Sequence, residues 1–338
     1  MQKVKCDLCG SEESIVIEAM GRFMLPLTNI CCKNCGLVYL NPVMDSSEIA
    51  AFYSSSEYYS LSHGLTSDSE PQQLKPFDFK KRMFEFDRFM QIKNLISPNS
   101  RVLEIGCGGG YLLSYLNNYG CQVEGLEPSN ALANLCKSKG IKGYNQLFED
   151  ADIQGSFDVI IMFHVLEHFL SPVTAMKKCR SLLNLKGKVI VEVPNVRHLW
   201  GNPLTGENYI FCQEHPVTFS ENTLHLLALK TGFSINFLTS NNPIFIFAEM
   251  VMDSEPIENL NYGNLCDNPL EVAKHVFSYR ASFKSKSPLY RKIIDRLASL
   301  IRYGLVKIMG VEKGGQLINL IRKTGAINIL HRLRGPKA

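Results

Sequence analysis

The chain has 338 residues, of which 45% are hydrophobic and 20% are charged, and its mean hydropathy is -0.03. This composition is that of a globular protein and excludes a disordered, collagenous or coiled-coil chain as the main interpretation. The net charge of +4 is unevenly distributed, because residues 270–338 contain 15 Lys and Arg against 3 Asp and Glu. An anionic partner is therefore expected at the C-terminal end of the chain.

The distribution of apolar residues disfavours two further classes of protein. No run of about 18 apolar residues occurs, so the sequence predicts no membrane span. The N-terminal stretch MQKVKCDLCG lacks the apolar core of a secretion signal. We therefore expect a cytoplasmic protein whose cysteines bind metal rather than form disulfides.

In chain order, the first predicted element is a zinc-binding module at residues 1–42. Five of the eleven cysteines lie in the first 35 residues. Four of them form two Cys-x-x-Cys pairs: Cys6, Cys9, Cys32 and Cys35. Gly10 and Gly36 directly follow the pairs and suit tight turns around thiolates. Two such pairs predict a closed tetrahedral structural zinc site, with Cys31 as a register alternative that would break the x-x spacing.

The next regions are a Ser- and Tyr-rich lid or linker at 43–76 and an α/β region at 77–250. The α/β region opens with an amphipathic helix at 78–96. Six apolar runs predict strands at 101–106, 122–127, 157–163, 187–193, 233–239 and 244–250. The segments between and before them predict helices at 110–119, 130–139, 171–184 and 220–230. Apolar strands that alternate with helices indicate a parallel sheet covered on both faces.

A glycine-rich loop follows the first predicted strand of the α/β region. Gly106, Gly108 and Gly110 allow the backbone to turn sharply and to approach a ligand closely. Glu127 ends the next strand, 21 residues after Gly106, where a carboxylate can accept hydrogen bonds from a ribose. The loop and the spaced acid together predict a nucleoside-containing ligand at the carboxyl end of the first strand.

The stretches VLEIGCGGG, VEGLEPS and FDVIIMFHVLEHFL resemble the class I S-adenosylmethionine-dependent methyltransferases, and the resemblance covers about residues 77–250. It implies a Rossmann-like seven-stranded sheet with one reversed strand and S-adenosylmethionine at the glycine loop. It also implies a place for each acidic or aromatic residue at that loop. Glu104 and the loop would hold the methionine end and Glu127 the ribose. Three residues would lie beside the adenine: Phe148, Glu149 and Asp150.

Two histidines in the stretch FHVLEH are candidate general bases. His164 and His168 follow the strand at 157–163 and would share one face of a helical turn. The H-E-x-x-H order of zinc peptidases is absent, so we interpret this pair as acid–base rather than metal-binding residues. The alternative is that one histidine only packs or caps the turn.

A third candidate base is His215, in the segment Glu214-His215-Pro216. This segment resembles the E-H-x-x-x-F-S stretch of zinc-containing sugar methyltransferases, in which the histidine and a tyrosine three residues earlier perform acid–base work. Cys212 stands at the tyrosine position here, which disfavours C-methylation. Tyr209 would replace that tyrosine only if the loop shifts, and an exposed loop histidine is the alternative for His215.

The cysteine pairs and the aromatic residues after them resemble the N-terminal zinc domain fused to such methyltransferases in bacterial sugar pathways. The resemblance implies that an aromatic stretch folds over the cofactor, here Tyr53, Tyr58 and Tyr59. Packing of these rings against the domain is the alternative.

The C-terminal region at 251–338 is predicted to be helical and basic. Within it, residues 289–309 place apolar side chains near one helical face and basic side chains around the remainder. Such a helix suits peripheral contact with an anionic membrane at its inner face. A helix docked on the protein core with a solvated basic face fits the same pattern.

These observations predict a methyltransferase that uses S-adenosylmethionine, carries structural zinc and O-methylates a sugar or glycan precursor in surface-polysaccharide biosynthesis. The acceptor would be a small molecule or a lipid-linked sugar. Alternatives are sugar C-methylation, O-methylation of a quinone or other phenol, RNA methylation and a non-enzymatic zinc adaptor. Nucleic acid is disfavoured because residues 1–269 carry 21 Lys and Arg against 29 Asp and Glu.

Overall fold

The computed structural model describes ten segments of the chain. They are residues 1–19, 21–22, 26–54, 75–199, 201–202, 207–208, 210–239, 243–252, 255–257 and 266–284. Internal contacts divide the chain into two units, the first made of 1–45 with 76–286 and the second of 46–75 with 287–338. The glycine loop, the histidines at 164, 168 and 215 and the cysteine pairs described below lie in the first unit.

The centre of the first unit is a sheet of seven strands. In spatial order from one edge, the strands are β12 (Ser234–Thr239), β13 (Phe245–Val251), β8 (Leu183–Pro194), β7 (Phe157–Phe163), β4 (Arg101–Ile105), β5 (Gln122–Leu126) and β6 (Lys142–Tyr144). The five strands from β8 to β6 are parallel, and β13 is antiparallel to both of its neighbours. The predicted α/β fold with one reversed strand is confirmed.

The sequence runs predicted six of these seven strands. The seventh, β6, has only three residues, lies at the sheet edge and reads Lys-Gly-Tyr, so it offers no apolar run. By contrast, β7 and β8 are central and buried on both faces, with Ile160, Ile161 and Ile190 fully excluded from solvent. A strand that is buried on both faces appears in the sequence as a continuous apolar run, and such a run can be predicted.

The described helices largely follow the predicted ones. They are α1 (Ser46–Ser54), α2 (Lys75–Ile92), α3 (Tyr111–Asn118), α4 (Asn130–Ser138), α5 (Pro172–Leu182), α6 (Glu221–Lys230) and α7 (Pro269–Lys284). Ser129, Ser171 and Ser220 begin α4, α5 and α6 as N-caps, each accepting a backbone N–H at the third following residue. Such a cap contributes roughly 0.5–2 kcal/mol. The predicted helix 171–184 was too long, because β8 already begins at Leu183.

The cysteine-rich segment forms a second sheet that also includes a strand from the α/β region. Its strands are β1 (Ser14–Glu18), β2 (Asn29–Cys32), β3 (Val38–Leu40) and β11 (Val217–Thr218), in that order. Val217 pairs with Tyr39, and the Leu40 N–H donates to the Pro216 carbonyl at 2.9 Å. The segment at 1–42 is therefore joined to residues near 217 by a backbone ladder.

A side-chain contact makes a second connection between the same two parts. Asp7 accepts hydrogen bonds from Ser171 Oγ at 2.7 Å and from the Val173 backbone N–H at 2.9 Å. Both donors lie at the start of α5, so Asp7 adds a carboxylate to that helix N-terminus, where negative charge is favoured.

The C-terminal region is described only in part. α7 packs against the sheet of the cysteine-rich segment, where Val272, Ala273 and Val276 are buried with Ile17 and Cys31. A two-stranded ribbon, β9 (Gly201–Asn202) with β10 (Glu207–Asn208), precedes β11. The predicted amphipathic stretch 289–309 lies outside the described residues. Among the helices that are described, none combines the length and apolar character needed to cross a bilayer.

Candidate active site

The glycine loop connects β4 to α3 with three residues in the left-handed region. Gly106, Gly108 and Gly110 have φ of 71°, 52° and 70°. A Cβ on Gly106 would lie 2.4 Å from Val165 Cγ2, and one on Gly110 would lie 2.7 Å from Cys136 Sγ. A Cβ on Gly108 would meet no atom within 4 Å. Packing thus excludes a side chain at two of the glycines, while the third faces open space.

Glu127 lies directly beside this loop. Its Oε2 accepts the Gly108 backbone N–H at 3.0 Å and its Oε1 accepts the Ser129 N–H at 2.9 Å. The side chain is 8% exposed, and Asn145 Nδ2 donates to the Glu127 carbonyl at 3.0 Å. These hydrogen bonds fix the Glu127 carboxylate beside Gly108. Each carboxylate oxygen can accept more than one hydrogen bond, so both can also accept from a ligand.

The other residues predicted to contact the cofactor have different settings. Glu104 is buried in β4, one residue before the strand ends. The Phe148 ring is buried and packs against Phe169 at 5.8 Å between ring centroids. Glu149 and Asp150 are exposed in the turn after β6. Their predicted place beside an adenine stays a prediction.

His164 follows β7 and is locked between two carboxylates. Its φ is 56°, and its backbone N–H donates to the Glu192 backbone carbonyl at 2.8 Å. His164 Nε2 lies 3.0 Å from Glu192 Oε1 and Nδ1 lies 3.5 Å from Glu167 Oε1. Burial opposes protonation, but Glu167 and Glu192 outweigh it and raise the pKa of His164 above its ordinary value. Arg88 completes the group with a 3.2 Å contact to Glu192.

His168 and His215 come together from separate segments. Their ring centroids are 4.8 Å apart with the planes nearly perpendicular. His215 Nδ1 lies 2.8 Å from the Ile210 carbonyl oxygen, which can only accept. Nδ1 therefore carries the proton, and the lone pair of the neutral ring is on Nε2. Burial, with the neighbouring His215, lowers the pKa of His168 to about 4, so this ring is neutral at pH 7.

The carboxylate of Glu167 lies next to both rings. Glu167 is 1% exposed, and neither oxygen accepts a hydrogen bond from a described residue. Burial disfavours its charge, but His164, His168 and His215 outweigh that effect and hold the pKa of Glu167 below its ordinary value. One ligand atom each from Glu167, His168 and His215 lies within 4.8 Å of the others. We call these three residues the Glu-His-His cluster.

Glu214 and Cys212, which are close in sequence to His215, have partners of their own. Glu214 pairs with Arg22 at 3.3 Å, and Cys212 is buried with its Sγ 3.6 Å from the Ile210 carbonyl. Tyr209, Tyr58 and Tyr59 lie outside the described residues. Tyr53 lies in α1, and its predicted cofactor contact stays a prediction.

The four predicted zinc ligands are brought together at one point. Cys6 Sγ lies 3.5 Å from Cys35 Sγ, Cys9 Sγ lies 3.4 Å from Cys32 Sγ, and all four atoms lie within 4.8 Å of one another. Sulfur atoms around a tetrahedral zinc at about 2.3 Å would be about 3.8 Å apart, so the four thiols fit that ion. We call them the four-cysteine cluster.

The two turns of the four-cysteine cluster repeat one geometry. The Gly10 N–H donates to the Cys6 carbonyl at 2.7 Å, and the Gly36 N–H donates to the Cys32 carbonyl at 3.0 Å. Both glycines have positive φ. Cys31 Sγ instead lies 3.4 Å from the Gly36 carbonyl, outside the cluster.

A comparison with protein families finds one match that covers the glycine loop and the histidine turn. Residues 74–236 match a family model described as a methyltransferase domain. The matched segment is just under half of the chain, and the sheet within it has the topology that the resemblance to class I S-adenosylmethionine-dependent methyltransferases implies.

Two ubiquinone biosynthesis O-methyltransferases are similar to part of the chain. A ubiquinone biosynthesis O-methyltransferase of Bradyrhizobium diazoefficiens is 29% identical over 117 residues, covering 33% of this chain and 46% of the relative. One of Xanthomonas campestris pv. campestris is 30% identical over 106 residues, covering 29% and 44%. The chain thus spans about half the length of these relatives.

Among solved structures, magnesium protoporphyrin IX methyltransferase of Synechocystis PCC 6803 is 16% identical, with a TM-score of 0.44. That similarity covers 63% of this chain and all of that one.

Three residues of the site were missed in the sequence: Glu167, Glu192 and Arg88. A signal was present for Glu192, because it is a charged residue inside the apolar run of β8. Glu167 stood inside FHVLEH, but only the fold brings it to His215. Arg88 was missed because the amphipathic pattern at 78–96 assigns its charged residues to the solvated face, whereas this side chain is buried and contacts the Phe84 and Phe163 rings.

Proposed function

We propose that this protein transfers the methyl group of S-adenosylmethionine to an oxygen of a sugar or glycan precursor in surface-polysaccharide biosynthesis. The proposal of methyl transfer rests mainly on one observation, which is the close approach of Val165 to Gly106. Val165 stands between His164 and Glu167, so the turn that bears the histidines packs on the glycine loop. Both follow adjacent parallel strands, β7 and β4, at their carboxyl ends, where ligands of such sheets bind.

The glycine loop and Glu127 are the residues that would hold the cofactor. The open space at Gly108 and the fixed carboxylate of Glu127 fit a nucleoside ligand. When bound, S-adenosylmethionine supplies a methyl group already activated by its sulfonium. The protein's own residues then orient the acceptor and receive its proton.

We assign receipt of the proton to the pair His168 and His215. The lone pair on His215 Nε2 is available because Ile210 fixes the other nitrogen as the donor. His164 is engaged by Glu167 and Glu192 and would position the turn rather than accept a proton.

Cys212 supports O-methylation over C-methylation. It stands where the sugar C-methyltransferases that this segment resembles have a tyrosine, and it is buried and faces a carbonyl. A buried thiol of this kind is not an acid–base group at neutral pH, because burial raises the pKa of Cys212 well above its ordinary value.

The methyl acceptor has two candidates, a sugar and a phenol. The four-cysteine cluster supports a sugar, because it resembles the zinc domain of sugar-pathway methyltransferases. The names of the relatives favour a phenolic oxygen of a quinone precursor. Release of S-adenosylhomocysteine should be measured against nucleotide sugars, lipid-linked glycans and polyprenylated catechols. Turnover only with catechols would overturn the sugar proposal, and no turnover with any acceptor, despite cofactor binding, would count against O-methylation.

The four-cysteine cluster is proposed to hold one structural zinc ion. Four thiolates complete the coordination of zinc, so the ion would stabilise the fold and leave no position for a substrate.

We further propose a cytoplasmic location with peripheral membrane contact through residues 289–309. The support is their basic and apolar composition, worth about 1 kcal/mol per basic residue near an anionic surface. Sedimentation with anionic liposomes should carry the full chain down and leave a chain truncated before Pro288 in solution. If both stay in the supernatant at low salt, the membrane contact is wrong.

A further inference from the structure

The Glu-His-His cluster has the ligand set of a metal site that is distinct from the four-cysteine cluster. Its three ligand atoms come from two segments, 167–168 and 215, and lie within 4.8 Å of one another. Ligands of one zinc-like ion, bound at about 2.0–2.2 Å, lie roughly 3–4 Å apart. A side-chain adjustment of about 1 Å would therefore bring all three onto a shared ion.

The buried carboxylate of Glu167 is the second observation. Both of its oxygens are inaccessible to solvent and accept no hydrogen bond from the described residues. A buried carboxylate without such bonds is costly, and buried charges are normally paired or bound to metal. The imidazole nearest to it, with His164 Nδ1 at 3.5 Å, is itself shared with Glu192.

The tautomer of His215 is the third observation. Metal-binding histidines commonly donate the N–H of the other ring nitrogen to a carbonyl or carboxylate, which fixes the orientation of the ring. His215 makes this bond to the Ile210 carbonyl at 2.8 Å. The backbone on its other side is also held, because the Pro216 carbonyl accepts the Leu40 N–H of β3.

We propose that Glu167, His168 and His215 bind a divalent transition-metal cation of the zinc type. One carboxylate and two imidazoles form a ligand set that such ions adopt with open positions. Glu214, which is next in sequence to His215, stays outside this set because Arg22 pairs with it.

The role of the ion rests on the proposed function, whereas its binding does not. An open position beside the glycine loop would take the acceptor oxygen, and a divalent cation increases the acidity of a hydroxyl group that it contacts. Binding of the ion would replace the general-base role assigned above to His168 and His215, because their ring nitrogens would then be ligands. The acceptor would lose its proton to solvent, its oxygen would bond to the methyl carbon, and the electron pair of the broken carbon–sulfur bond would remain on sulfur.

Metal stoichiometry of the full chain tests the proposal. After loading with zinc sulfate and exhaustive dialysis, we expect about two zinc ions per chain, one for each cluster. Glu167→Gln and His215→Gln should each retain about one ion and weaken calorimetric zinc binding at the second site by at least about 100-fold. His198→Gln removes an exposed histidine and is the matched control, which should keep both ions.

The outcomes separate this proposal from the proposed function. A wild-type chain with one zinc ion, or variants that keep two, would overturn the second site even if methyl transfer occurs. Two ions that fall to one in the variants would support the site even if no acceptor is methylated. Calorimetric binding of S-adenosylmethionine reports folding of each variant. If Glu167→Gln does not fold, His215→Gln and the wild-type stoichiometry still decide.

Discussion

The four-cysteine cluster and the carboxyl edge of the seven-stranded sheet differ in what they leave open. In the four-cysteine cluster, four thiols fill all positions around one point, and the two turns that hold them repeat the same hydrogen bond. At the carboxyl edge, where β4, β5 and β7 end, Gly108 faces open space and the Glu-His-His cluster offers three ligand atoms. A closed cluster leaves no position for a substrate, whereas an open edge has room for one.

The two regions are nevertheless connected by the chain. β11 pairs with β3 of the cysteine-rich sheet, and His215 lies two residues before β11. The opposite ring, His168, belongs to the turn after β7. The four-cysteine cluster thus supports the strand that brings one histidine to the other. Variants that affect one region but not the other test this division of roles.

The largest effect is expected from loss of a zinc ligand. Cys6→Ser should lose the zinc ion of the four-cysteine cluster, so that the chain retains one ion fewer, and should reduce the free energy of unfolding by about 4–5 kcal/mol or more, the range in which loss of a structural metal falls. Metal analysis and denaturant unfolding measure both quantities. Cys31→Ser changes a buried neighbour outside the cluster and should keep the zinc. Equal zinc content in the two variants would show that the four thiols hold no ion.

At the open edge, Glu127→Ala should weaken S-adenosylmethionine binding by about 1–3 kcal/mol. The substitution removes the carboxylate proposed to accept hydrogen bonds from the ribose, and a polar group left unsatisfied in a buried site costs about this much. Titration calorimetry measures the affinity, and zinc content should not change. Asp152→Ala, at an exposed acid, is the control. An unaltered affinity in folded Glu127→Ala would remove this carboxylate from the site.

How much of these regions the sequence predicts depends on how local each one is. The four-cysteine cluster was predictable because each pair sits in one turn and the x-x spacing sets the geometry. The glycine loop was predictable because positive φ strongly favours glycine, and three glycines at alternate positions after a strand are a local signal. The Glu-His-His cluster was not, because 47 positions separate His168 from His215 and only the folded chain brings the two rings together. The acid–base interpretation of FHVLEH therefore considered His164 and omitted Glu167.

Two alanine substitutions in the glycine loop separate ligand space from packing. Gly108→Ala puts a Cβ into open space at φ of 52°, so the fold should lose only about 1–2 kcal/mol while cofactor binding weakens about 10-fold, or about 1.4 kcal/mol. Gly110→Ala meets Cys136 Sγ at 2.7 Å and should destabilise the fold more. Thermal melting and calorimetry distinguish them. Normal cofactor affinity in Gly108→Ala would place the ligand elsewhere.

The smallest effect is expected at the side-chain link between the two regions. Asp7→Ala removes the acceptor for Ser171 Oγ and the Val173 N–H and should reduce the free energy of unfolding by about 1 kcal/mol, as loss of a helix cap does. Asp7→Asn keeps one acceptor oxygen and should lose less. Because His215 is held through the β3–β11 ladder and not through Asp7, zinc content and cofactor affinity should remain as in the wild type. A drop in either one, in a folded Asp7→Ala chain, would mean that α5 and the turn before it transmit the state of the four-cysteine cluster to the carboxyl edge, and the two regions would then have to be treated as one site.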